Sequence, residues 1–130
     1  TGTRLETCLQ RRLRVSATAE IEQAFLLHGG LNLFQRHGHW PAFSNLVARA
    51  ARTRGFGDWW GHILVAEGRA DAMIEAEVAL HDVAALKPIL EAAGGVLLTR
   101  GGTPLVTGWV DGVISANARL GEAVRAAMGY

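Results

Sequence analysis

Asp82 stands first among the residues whose type and place could do chemistry. It opens the apolar stretch HDVAALKPILEAAGG, which halts at Gly94 and Gly95. The positive end of a helix dipole favours a carboxylate there. A hard cation such as Mg2+ takes oxygen ligands, commonly carboxylates shared with a substrate's phosphate oxygens. A lone first-turn Asp is more often a helix cap, so the residue by itself leaves both roles open. Glu75 closes the short segment AMIEA and points toward the same region. It reads either as a solvated strand-end acid or as an acceptor for a substrate hydroxyl or amine. Glu77 reads as an ordinary surface acid, Asp71 as a turn residue and His81 as an exposed loop histidine. A second centre is Arg54-Gly55-Phe56-Gly57-Asp58. A Gly-rich turn entering a helix can present backbone N–H groups to an anion. Its spacing is not GxGxxG and a helix is expected before it, which argues against a dinucleotide site. Asp58 is then a cap or a group facing a cationic substrate, and Trp59 and Trp60 read as packing residues. His28, His37, His39 and His62 share no metal-ligand spacing. Cys8 lacks the context of a nucleophile, and Ser16, Ser44 and Ser115 lie in no GxSxG elbow.

These residues need elements to hold them. Residues 12–17, RLRVSA, alternate and predict a strand. Thr18 would cap a short helix running to a stop at Gly29. Glu20 and Glu22 lie in its first turn, and Ile21, Ala24, Phe25 and His28 form one face. Residues 30–40 read as loop or broken helix. Pro41 suits a first helical position, and Phe43, Leu46, Val47 and Ala50 make a stripe that predicts helix to about Arg54. After the Gly55-Phe56-Gly57 break, a second helix is expected from Asp58 to about Glu67, stopped by Gly68. Residues 72–76 predict a short strand. A single helix is expected over 82–93, burying Val83, Leu86, Ile89, Leu90 and Ala93, with Gly94 as its left-handed cap. Strands are expected at 96–99 and 112–116 and a minor one at 103–106, with Asn117 capping the last helix. Strands separated by helices predict one α/β domain over 1–130, a largely parallel sheet with flanking helices. Ligands of such sheets sit beyond the carboxyl ends of strands. That places the candidate sites in the segment 75–82 and in the turn before Asp58.

Composition narrows the class. A length of 130 residues fits one domain, and 49% apolar against 19% charged residues can bury a core. The net charge of +1 argues against nucleic acid or an anionic membrane surface. Lys87 is the sole Lys beside many Arg, which reads as coding bias. The single Cys excludes an internal disulfide and suits a cytoplasmic setting. The apolar runs fall short of the ~20 residues of a membrane helix, and no signal peptide opens the chain. The missing initiator Met leads us to expect a chain that began elsewhere.

Several short motifs follow one another in a fixed order: Arg54 to Gly57, Val65-Ala66-Glu67-Gly68, Ile74-Glu75, His81-Asp82-Val83-Ala84-Ala85, Glu91-Ala92-Ala93-Gly94-Gly95, and Ser115-Ala116-Asn117. Over about residues 10–128 they resemble the C-terminal half of the inositol monophosphatase family. The turn GDWWG resembles that family's histidinol-phosphate phosphatase branch. The resemblance implies a Mg2+-dependent phosphomonoesterase of histidine biosynthesis that hydrolyses its ester with metal-activated water. Histidinol phosphate is the first substrate implied, and inositol phosphate the next. Asp82 would be a metal-bridging carboxylate. Asp58 and Glu75 would face the substrate's non-phosphate part, and Arg54 and the Gly57 backbone would also bind substrate. His81 replaces the family's Trp, and its Glu-Ala-Gly-Gly has an extra Ala here. The Gly-Glu-Glu and Asp-Pro-x-Asp-Gly-Thr segments of the family's first half are absent, so no catalytic residue is assigned and the chain alone is expected to be inactive. A homo-oligomer or a complementing N-terminal half is the expected partner. The alternative is a non-catalytic interaction domain that keeps the fold.

Overall fold

The computed structural model describes residues 12–106 and 108–130. Cys8 lies outside them. A five-stranded sheet runs in the order β2-β1-β3-β5-β4, with β1 at Phe25–His28, β2 at Arg52–Gly55, β3 at Ala72–Ala79, β4 at Val96–Thr99 and β5 at Trp109–Ala116. Helices α1 (Leu31–Arg36), α2 (Trp40–Arg49) and α6 (Ala118–Met128) cover one face; α3 (Asp58–Ala66), α4 (Leu80–Val83) and α5 (Leu86–Ala92) cover the other. The α/β class with flanking helices is as expected. The sheet is mixed rather than largely parallel, with β2-β1 and β1-β3 parallel and β3-β5 and β5-β4 antiparallel. The reason lies in connection length. Residues 100–108 are too few for the crossover of about a dozen residues that a parallel return requires. The α4–α5 segment is long enough, so β3 and β4 run the same way and β5 inserts between them.

The helix expected up to Gly29 is instead a short 3-10 turn, Ile21–Gln23, followed by β1. Leu26 and Leu27 are adjacent and both fully buried, on opposite faces of the sheet. An interior strand can bury both neighbours, whereas a one-sided helix cannot. The stripe through Ala50 likewise ends early. α2 stops at Arg49 and residues 52–55 pair in parallel with β1, with the Arg52 guanidinium 4.7 Å above the Phe25 ring. β3 runs three residues past the expected end, because β5 pairs with it as far as Ala79. The helix expected over 82–93 is broken into α4 and α5. Pro88 has no N–H to give the carbonyl of Ala84, and its ring would crowd that carbonyl in a continuous helix. Beyond the bridge at Arg12, residues 13–17 form no strand. They lie along the end of α5, where the Val15 N–H donates to the Ala93 carbonyl at 3.0 Å. Residues 103–106 are also not a strand, since Pro104 cannot donate to a ladder. The final helix is as expected, the Asn117 side chain accepting from the Leu120 N–H at 2.9 Å.

One core layer centres on Leu26, Phe34, Phe43, Ile74 and Leu120, and the other on Leu27, Val65, Met73, Leu90 and Val113. Each such large side chain contributes roughly 1.5–3 kcal/mol by leaving water. The α3 backbone lies directly on the sheet: a Cβ at Gly61 would stand 2.5 Å from Met73 Sδ. That close approach fixes the start of α3 over the strand ends, where the candidate site forms.

Candidate functional site

Three parallel strands deliver their carboxyl ends to one place. β1 runs into Gly29 and Gly30, β2 leads through Gly57 to Asp58 at the start of α3, and β3 carries Glu75 and leads to Asp82 in α4. These residues line one cleft of about 210 Å3, together with Leu33, Glu77 and Trp109. Among the described residues no Arg, Lys or His lines it. Of the five residues singled out from sequence, Gly57, Asp58, Glu75 and Asp82 therefore meet. Arg54 does not line the cleft. It lies on the exposed edge strand, with its guanidinium donating to the Thr53 carbonyl at 2.7 Å.

Glu75 is not a strand-end acid in water. It lies within β3 and is only 4% exposed. Burial, then the negative charges of Asp58 and Asp82, push its carboxyl up to about pH 8. No hydrogen bond to its carboxyl oxygens is present among the described residues, although the Tyr130 hydroxyl donates to its backbone carbonyl at 3.3 Å. The carboxyl rests against the backbone of Gly29, where an added Cβ would stand 1.8 Å from Glu75 Oε2. Gly29 is thus required for close approach and not as a helix stop.

Asp58 has φ +56°, the one positive φ outside glycine among the described residues. Asp tolerates this region better than most side chains, yet it still costs on the order of 1–2 kcal/mol. Gly57 caps α3 without a side-chain hydrogen bond, and a Cβ there would meet open space. Asp82 lies in the first turn of α4 with its side chain 34% exposed, 3.5 Å from Nε2 of the well-exposed His81. The carboxylates offer the hard oxygen donors that Mg2+ takes. In kind, then, Asp82 fits a cation shared with phosphate oxygens. In number the set falls short, because no three His, Cys, Asp or Glu side chains among the described residues are grouped to hold a metal ion.

The sequence reading missed Gly29, Gly30, Glu77 and Trp109 in the cleft. The run FLLHGG held the signal for the glycines, an apolar strand followed by a Gly pair. Trp59 and Trp60 are not packed inside; they lie about half exposed, edge to face, with ring centres 5.3 Å apart. Among the described residues the remaining histidines do not line the cleft, although His37 reaches Glu77, which does. His37 pairs with Glu77 at 2.7 Å, and His39 approaches Asp111 at 3.4 Å. His62 is fully buried in the core and shares a 2.6 Å hydrogen bond between its Nδ1 and Ser115 Oγ, while its Nε2 has no partner among the described residues.

A mixed α/β sheet with an acidic cleft at the carboxyl ends of its parallel strands describes a class of ligand-binding fold. Within that class the assignment is specific: the profile of the inositol monophosphatase family matches residues 3–128, and the chain belongs to that family. It is similar to a histidinol-phosphatase of Streptomyces coelicolor, 34% identical over 93 residues, which cover 72% of this chain and 35% of that protein. A histidinol-phosphatase of Chlorobaculum parvum is 41% identical over 81 residues, covering 62% of this chain and 30% of the relative. The chain thus spans about a third of the length of these curated relatives. The solved structure of an inositol monophosphatase from Zymomonas mobilis superposes with a TM-score of 0.82 at 27% identity, over 93% of this chain and 48% of that one. No helix among the described residues is long and apolar enough to cross a membrane.

Proposed function

We propose that this chain is the C-terminal portion of a Mg2+-dependent phosphomonoesterase whose substrate is histidinol phosphate, a step of histidine biosynthesis in the cytoplasm. The observation that carries the reading is the cleft itself, in which Asp58, Glu75 and Asp82 converge with no basic side chain among the lining residues. Such a cleft attracts cations, both a metal ion and the amine and imidazole of histidinol. Asp82 would hold the ion, with phosphate oxygens as co-ligands. Bound there, Mg2+ supplies Lewis-acid polarisation of the ester and a water nucleophilic at neutral pH. Asp58 and Glu75 would orient the organic part of the substrate. Glu75 ionises more readily once a positive group enters beside it, so substrate and carboxylate stabilise one another. Inositol phosphate, whose organic part is uncharged, gains less from this arrangement. The further ligands that a two-metal site needs would come from outside these residues, from a longer chain, a complementing half or a second copy.

The test is phosphate release from histidinol phosphate and inositol 1-phosphate. The chain would be assayed alone and mixed with the N-terminal half of the Streptomyces coelicolor relative, with Mg2+ or EDTA. We expect no turnover alone, and Mg2+-dependent turnover on mixing that favours histidinol phosphate. Preference for inositol 1-phosphate would sink the substrate assignment, and turnover by the chain alone would sink the half-site. The exposed Phe56, Trp59 and Trp60 favour a second reading as a non-catalytic interaction domain. That reading requires that no mixture recover a Mg2+ site by calorimetry.

A further inference from the structure

Trp109 is the most exposed of the large apolar side chains among the described residues, at 70%. Trp59 and Trp60 pack on each other, and Trp40 leans on Phe43 at 6.0 Å. Trp109, the remaining tryptophan, has no aromatic partner among the described residues. Its backbone is nevertheless held firmly. It pairs with Ala79 in the ladder, and the Gly108 carbonyl before it accepts from the Leu80 N–H at 2.9 Å. Two residues on, Asp111 accepts from the Arg100 guanidinium at 2.8 Å. The result is a fixed strand end with an exposed tryptophan, and Trp109 lines the same cleft as Asp58, Glu75 and Asp82.

An indole face attracts a cation, and a flat ring can stack on it. A neutral polyol gains neither term. We propose that Trp109 determines specificity, forming the aromatic wall of the cleft against which the flat, cationic end of the substrate lies. This rests on the reading of the substrate as a cationic phosphate ester, and it adds a contact that the carboxylates alone do not provide.

The test is binding of histidinol, with myo-inositol as the neutral comparison, to the 130-residue chain in metal-free buffer near pH 6. Calorimetry gives the affinity, and the tryptophan indole N–H resonances report the contact. We expect histidinol to shift the Trp109 indole signal. Trp109→Leu should weaken histidinol binding about fivefold, and Trp109→Phe, which keeps a ring, by about twofold or less. Unchanged near-UV circular dichroism outside the lost indole would establish that the exposed position leaves the fold alone. Full histidinol affinity in Trp109→Leu, with affinity lost in Asp58→Asn or Glu75→Gln, would overturn the role of Trp109 and leave the substrate reading standing. Failure of histidinol to bind the wild-type chain would overturn both.

Discussion

Glu75 and His62 are both buried and both driven toward their neutral forms, yet only Glu75 lines the cleft. His62 is pushed down to about pH 4 by burial alone, its Nδ1 held by Ser115 inside the layer beneath α3. Glu75 is pushed up to about pH 8 by burial and then by Asp58 and Asp82, at the mouth of a cleft. The difference is what faces each group. His62 meets packed apolar atoms and one hydroxyl, so nothing from solution can change its state short of unfolding. Glu75 meets other carboxylates across space that a cation can enter. A perturbed group is therefore a functional signal here only where the perturbing charges also line an accessible space.

The largest expected effect sharpens that contrast at the Asp82 end of the cleft. Asp82→Asn should lower Mg2+-dependent phosphate release by the complemented enzyme by about a hundredfold or more, past the usual loss for an outer partner of a metal site. Steady-state rates at saturating Mg2+ measure it; near-wild-type turnover would break the assignment.

Stability against pH is the second probe, and the two groups carry opposite signs. Glu75 has a raised folded pKa, so its contribution is complete below about pH 4.5 and is lost as pH rises toward 8. His62 has a lowered folded pKa, so its contribution is complete above about pH 6.5 and is lost as pH falls toward 4. Each is worth up to ~1.4 kcal/mol per pH unit inside its window. The two nearly cancel between about pH 4.5 and 6.5, and from 6.5 to 8 Glu75 acts alone, removing about 2 kcal/mol. Urea denaturation of the metal-free chain should show that decline, and Glu75→Gln should abolish it. A decline that survives the substitution would place its source elsewhere.

Gly29→Ala comes next. Its Cβ would overlap the Glu75 carboxyl, so the acid must move outward at a cost of roughly 1–3 kcal/mol. The displaced carboxyl should titrate closer to its ordinary range, read by carbon NMR of a labelled glutamate. Ser115→Ala, the smallest of the four, probes the core pair. Leaving His62 without its partner should cost about 1–2 kcal/mol in thermal or urea unfolding, with histidinol affinity unchanged. Loss of affinity there would mean that the two regions are coupled.

Much of the site was legible because its residues sit beside strong local signals. Asp58 follows a Gly-rich break and opens a helix, Asp82 opens an apolar stretch, and Glu75 lies in an apolar run. The errors fell where local periodicity is ambiguous. Ile21, Ala24, Phe25 and His28 match a helical face, but Phe25 to His28 form an interior strand whose partners lie far along the chain. Residues 52–55 are a strand only because β1 offers an edge. Gly29 looked like a helix stop because its neighbour, Glu75, is remote in sequence.

By itself, the amino-acid order determined much of the alternation of helices and strands, the Asn117 cap and the kind of donor available for a cation. Each of these is set by groups a few residues apart. The tertiary structure alone decided that Glu75 is buried beside two other carboxylates, that Gly29 lies under it, that Arg54 stays outside and that Trp109 edges the same cleft. Burial and Coulomb interaction depend on distance in space, and the pairing of β1, β3 and β5 brings together residues that no sequence period connects.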